Sequence, residues 1–167
     1  MGLAVCASLF SVFLAQAAPV EMPNRKPGLW EIKVSPGAQM PAMTMQQCTD
    51  ATTDKDMATS FGPMAQEMCS RQDMQKTATG LVIDSTCTVG GQTSTSRTEI
   101  NGDFNSAYTV KVSTKGGGKQ PEAVTMMDAR WLGACKADQK AGDILMPGGM
   151  KMNIKDMQSM TGARPKQ

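Results

Sequence analysis

Cys69-Ser-Arg-Gln-Asp-Met-Gln-Lys-Thr-Ala-Thr-Gly80-Leu-Val-Ile-Asp-Ser-Thr-Cys87 decides the fold. Leu81-Val82-Ile83 is a β-branched apolar run, the signature of a strand. Lys76 to Gly80 is polar and ends on glycine, as a turn does. Two arms of similar length flank that turn, each with a cysteine near its far end. The stretch therefore predicts a β-hairpin whose open end is closed by a disulfide.

Working outward, the same alternation recurs. In Gly28-Leu29-Trp30-Glu31-Ile32-Lys33-Val34, the residues Trp30, Ile32 and Val34 share one face, with Glu31 and Lys33 on the other. That is a half-buried strand. Gln39 to Gln47 carries Met40, Met43 and Met45 and predicts a second strand running into Cys48. Thr49 to Ala58 predicts a helix, with Thr53 and Asp56 as a weak capping box and Phe61-Gly62-Pro63 as its break. Gln92 to Ile100 is rich in Thr and Ser and predicts a strand largely exposed on both sides. Asn101-Gly102-Asp103 predicts a hairpin turn, since Asn and Gly tolerate positive φ. Phe104, Ser106, Tyr108, Val110 and Val112 then share a face, and Ala123 to Leu132 predicts the last strand. Lys115 to Pro121 is a flexible glycine loop, and Gly116-Gly117-Gly118 lacks the pattern of a phosphate loop.

Strands joined by short turns with one helical insertion predict a mainly β fold, a small antiparallel meander or partly closed barrel. Within the 167 residues, 1–17 are expected to be a signal peptide and 18–27 a lead-in. Residues 28–135 form the stapled β domain, and 136–167 a polar, Met-rich tail with a short helix after Gly149. The signal rests on the uncharged apolar run Leu3 to Leu14, shorter than the ~20 residues a spanning helix needs, followed by Ala15-Gln16-Ala17 as a cleavage site. No Lys or Arg precedes that run. No other segment is apolar enough to span a membrane after cleavage.

Five cysteines occur, and losing Cys6 with the signal leaves Cys48, Cys69, Cys87 and Cys135. An even count in an exported chain implies two disulfides, and no C-x-x-C spacing supports zinc or thiol redox chemistry. If successive strands alternate in direction, Cys69 and Cys87 meet at one end of the sheet and Cys135 reaches the other. This favours Cys69–Cys87 with Cys48–Cys135; the alternative is Cys48–Cys69 with Cys87–Cys135. One mismatch opposes the favoured pairing: setting Cys69 against Cys87 puts Asp73 opposite Ile83 on one face, a poor match for a buried side that a bulge could repair. Each bridge is worth about 3–5 kcal/mol, the longer loop somewhat more.

Arg25-Lys26-Pro27-Gly28-Leu29-Trp30-Glu31-Ile32, the spaced cysteines, and Arg130-Trp131-Leu132-Gly133-Ala134-Cys135 resemble the bacterial family called domain of unknown function 3617. The resemblance runs from about Arg25 to Cys135. It implies an exported protein of Gram-negative bacteria and carries no activity, substrate or catalytic residue; taken with the signal, this predicts the periplasm.

Chemistry is sparse. There is no histidine, which removes Ser-His-Asp and Cys-His nucleophiles, the usual general base and most zinc and Cu(II) sites. Asp54 with Asp56 and Asp138 with Asp143 lack the separation and scaffolding of a glycosidase pair. A net charge of +2 argues against nucleic acid and anionic membranes as partners. The residues predict a non-enzymatic binding or structural module with no cofactor, acting on an envelope ligand or protein. The exception to ordinary composition is methionine, sixteen residues against four Phe, two Trp and one Tyr. Met40, Met43 and Met45, and again Met146, Met150 and Met152, gather thioethers beside Pro and Gly. Thioethers favour Cu(I), so a Cu(I)-binding patch is the alternative function, set against pliable core filler or an apolar partner surface.

Overall fold

The structure is a computed structural model describing residues 22–37, 40–117 and 121–156, with backbone alone for 58–66. The expected signal peptide, 1–17, lies outside the described residues. Nine strands and a long helix follow in the order β1 (Gly28–Ser35), β2 (Met43–Thr49), α1 (Ala51–Met68), β3 (Cys69–Lys76), β4 (Gly80–Val89), β5 (Gln92–Asp103), β6 (Ala107–Gly116), β7 (Ala123–Gly133), β8 (Asp143–Leu145) and β9 (Lys151–Asn153). They form one sheet, ordered β3-β4-β5-β6-β7-β1-β2-β8-β9, antiparallel at every pairing. The meander is thus open, not closed into a barrel.

The Cys69–Cys87 hairpin forms as the sequence predicts, and its mismatch is resolved by a bulge. Cys69 faces Cys87, but the register shifts before Arg71. Beyond the shift Met74 faces Ile83 and Asp73 faces Asp84. One extra residue on β3 therefore moves the apolar side chain onto the apolar face. The opposed carboxylates each have a cation nearby: Arg97 lies 2.9 Å from Asp84, and Arg71 lies 3.5 Å from Asp73.

Alternation gives the sheet two unlike faces. On the inner face, one cross-strand row runs Met43, Val34, Met127, Val110, Ile100, Leu81. The next runs Met45, Ile32, Ala129, Tyr108. Trp30 is fully buried beside them, and Tyr108 stacks on Phe104 at 4.8 Å. The outer face carries Arg71, Asp84, Arg97, Glu99 and Lys111. α1 crosses the inner face. It leaves the end of β2 and enters β3, and five strands lie between these two in the sheet. Six strand spacings come to roughly 29 Å, and 18 helical residues span about 27 Å.

Several local expectations change. α1 continues to Met68, past Phe61-Gly62-Pro63, where a break was expected. A proline removes one helical hydrogen bond and costs about 3 kcal/mol, which shortens only a helix free to end. This one is capped at its start and runs directly into β3. Its capping box is Asp50 with Thr53, not Thr53 with Asp56: Thr53 N donates to Asp50 Oδ1 at 2.7 Å, and Asp50 N donates to Thr53 Oγ1 at 2.9 Å. β2 begins at Met43, and Met40 stays in a bend.

The Thr/Ser-rich strand, β5, is not exposed on both sides. Its Ile100 is in the core, and Ser94, Ser96 and Thr98 are half-buried on the same face. The turn after it lies at Phe104–Ser106, not at Asn101-Gly102-Asp103. Asp103 builds that turn by accepting from Asn105 N and Ser106 Oγ, each at 2.9 Å. Gly102 serves a different purpose inside the strand. Its φ is +124°, and a Cβ there would collide with the Ala107 carbonyl oxygen. The stretch after Cys135 does not leave the sheet: β8 pairs with β2, and β9 with β8. The predicted helix after Gly149 starts only at Ile154, after β9.

Candidate functional site

Arg25 is the hub of the buried polar groups. Its Nε donates to Asp54 Oδ1 at 2.7 Å, its backbone N to Asp54 Oδ2 at 2.7 Å, and its Nη1 to Gln47 Oε1 at 3.0 Å. Gln47 Nε2 in turn donates to the Met57 sulfur. Thr49 and Thr53 share a hydroxyl hydrogen bond of 3.2 Å beside this pair. The lead-in, β2 and the first turn of α1 are thereby tied together. Burial pushes the Tyr108 phenol above its ordinary 10.0, with the Arg25 guanidinium opposing that rise. Sequence reasoning missed this network; the spacing Asp50-x-x-Thr53, passed over in favour of Thr53 with Asp56, is the signal that could have pointed to the helix start beside it.

Of the carboxylates singled out in the sequence, Asp138 and Asp143 border one open depression, where Lys151 bonds both. Asp54 is engaged by Arg25. Asp143 accepts from Lys140 N at 2.9 Å and Asn153 Nδ2 at 2.8 Å, which hold its carboxyl below the ordinary 3.8. Asp138 contributes its backbone oxygen to Lys151 Nζ. Among the described residues, no three His, Cys, Asp or Glu are grouped to hold a metal. No buried side-chain N or O of the described residues lacks a partner.

The two motifs at either end of the β domain meet in space. Leu29 pairs with Gly133 and Trp30 with Trp131, so Leu132 is bulged out of the ladder. Gly28 has φ +135°, and a Cβ on it would run into Gly133 O and Trp131 Nε1. Trp30 Nε1 donates to Lys26 O at 2.8 Å, and Trp131 Nε1 to Pro27 O at 3.1 Å. Lys26 Nζ sits 3.6 Å above the Trp131 ring. The glycines and tryptophans of the two motifs lock β1 to β7, while Glu31 and Arg130 border an open depression with Lys33, Tyr108 and Asp128.

The disulfides are Cys69–Cys87 and Cys48–Cys135, the favoured pairing. Cys48–Cys135 joins β2 to the chain leaving β7, a sequence separation of 87. Two disulfides are compatible with an oxidising, exported location. No described helix is long and apolar enough to cross a membrane.

Among the described residues, the surfaces open to recognition include a charged depression and a methionine corner. On the outer face an open depression of about 630 Å³ is bordered by Arg71, Asp84, Arg97, Lys111, Lys115 and Glu122. Its cations and carboxylates pair across strands, with Arg97 2.9 Å from Asp84 and Lys111 3.6 Å from Glu99. The second surface is the methionine corner. Met43 and Met45 lie on the inner face of β2, and Met40 projects from the bend before it, 59% exposed. Ile144 pairs with Gln47 and with Met152, placing Met152 on the same face. Met146 N donates to Met150 O at 2.8 Å, closing the β8–β9 hairpin. The two methionine groups, far apart in sequence, thus share one corner of the sheet.

A family model described as "Protein of unknown function (DUF3617)" matches residues 25–135. No curated protein and no solved structure matches.

Proposed function

Since the chain belongs to the DUF3617 family, whose description carries no activity, we propose a function from the chemistry of its own residues: a non-enzymatic binding or structural module of the bacterial envelope, exported to the periplasm. One observation supports this most. The buried polar groups, from Arg25 and Asp54 to Asp143, are mutually satisfied and hold elements together. Catalytic groups are typically left poised for a substrate, with their partners incomplete until it binds. The disulfides suit an oxidising compartment, and the open outer face offers paired charges and hydroxyls to a polar ligand such as a peptide or glycan.

The test is native mass spectrometry of protein recovered from the periplasm. The expected result is a non-covalent mass addition that disappears on denaturation and is weakened by Arg97→Ala and Lys111→Ala. A bare protein in every preparation would contradict binding and leave a purely structural role.

A second reading, a Cu(I)-binding protein, is favoured by a separate observation: the two methionine groups share a face and a corner. Copper in the native spectrum, with no organic addition, would select it.

A further inference from the structure

We infer that Met45, Met146 and Met150 form a three-thioether site for one Cu(I) ion where β2, β8 and β9 meet. The inference rests on the second reading above and specifies its ligands. It begins with strand register. Gln47 pairs with Ile144 and Gln46 with Leu145, where the ladder ends; carrying that register one residue further sets Met146 beside Met45. Asp143 pairs with Asn153, Ile144 with Met152 and Leu145 with Lys151. The next step there sets Met146 opposite Met150, and the Met146 N to Met150 O hydrogen bond of 2.8 Å closes that pair. Met45 in β2 and Met146 and Met150, at the two ends of the turn that joins β8 to β9, therefore come into one row on one face.

Cross-strand neighbours have Cβ atoms about 4.5–5.5 Å apart. A methionine has three rotatable bonds, so its sulfur can move several ångströms toward a common point. Three sulfurs in such a row can converge on one ion without moving the backbone. Met43 and Met152 flank the row on the same face. The backbone beneath is fixed from two sides. Gly142 N donates to Cys48 O at 2.8 Å, and Cys48 is bridged to Cys135. Solvent reaches the row, since Met150 is 64% exposed and Met45 and Met146 are half-buried.

The donor set selects the ion. Thioethers are soft and neutral, which suits a soft monovalent cation and leaves hard divalent cations without anionic oxygen ligands. The chain has no imidazole to recruit Cu(II) or zinc. Its four described cysteines are in bridges, so no thiolate competes. The ion binds as Cu(I) and leaves as Cu(I); no electron is transferred.

The test uses the folded, oxidised protein with methionine methyl groups labelled for NMR. Silver nitrate in chloride-free buffer is the air-stable soft probe. The Met45, Met146 and Met150 methyl signals are expected to shift together and saturate at one equivalent, while Met22 and Met126 stay unmoved. In parallel, Cu(I) is offered against a chromophoric chelator. The supporting groups of metal sites are worth about 10–100-fold, so replacing a ligand should cost at least about tenfold. Met45→Leu, Met146→Leu and Met150→Leu are each expected to do so, and Met126→Leu is not. Silver shifts spread evenly over the exposed methionines, or no Cu(I) withdrawn from the chelator, would overturn the site. The wild-type spectra decide this even if a variant fails to fold. An organic ligand retained in the native spectrum would leave the binding-module reading standing while copper fails.

Discussion

Arg25 and Asp54 are each 9% exposed at the side chain and bonded at 2.7 Å. A buried ion pair gains little over an apolar pair of the same shape, but breaking it leaves one charge unpaired in low dielectric. Arg25→Ala should therefore destabilise the fold by about 3–5 kcal/mol, read as a lower urea midpoint at unchanged slope. A loss under 1 kcal/mol would show the pair to be ornamental. Gly28 makes a different demand. With φ +135° and the Gly133 carbonyl in the way, Gly28→Ala is both strained and crowded. Its cost should exceed about 1 kcal/mol, whereas Gly90→Ala, strained at φ +57° but meeting no atom, should lose less. At this scale the sequence is most legible where one residue type has one use. Trp30, Ile32 and Val34 alternate and are inward as expected. Gly102 has two uses in principle, a turn or a close approach, and its local sequence cannot distinguish them.

Among the elements, α1 depends most on its first turn. Asp50 accepts from Thr53 N, and this bond lowers its pKa below the ordinary 3.8, the Thr53 hydroxyl adding to the effect. Asp50→Ala should cost about 0.5–2 kcal/mol in thermal or urea unfolding. A lowered carboxylate pKa stabilises the fold at any pH above the unfolded value and loses that contribution as pH falls through the folded one. Asp50, Asp103 and Asp143 are all lowered, from 3.8. Acid should therefore begin to unfold the protein only below about pH 4. With no histidine, stability should be flat between about pH 5 and 8, checked by urea midpoints across that range. The strands β1, β4, β6 and β7 were legible because they are long enough to alternate. β8 and β9 were not, at three residues each within a polar run. That is why Met146 and Met150 showed as composition but not as the two ends of a β8–β9 hairpin. The extent of α1 was hidden by Pro63, a local stop signal overridden by anchorage at both ends.

For the whole molecule, the framework is the sheet plus its two bridges. Cys48–Cys135 closes a loop of 87 residues and Cys69–Cys87 one of 18. Restriction of the unfolded chain grows with the logarithm of loop length, giving about 4–5 kcal/mol for the first and about 3 for the second. The paired variant Cys48→Ala with Cys135→Ala should therefore lose more stability than Cys69→Ala with Cys87→Ala. We propose, at this scale, an oxidised, exported domain whose two bridges form in the compartment it reaches. Disulfide mapping of unreduced protein taken directly from the periplasm tests that most directly. Peptides linking Cys48 to Cys135 and Cys69 to Cys87, in a chain beginning after Ala17, are the predicted result. Free thiols at these four positions, or a chain that still carries Met1, would contradict it.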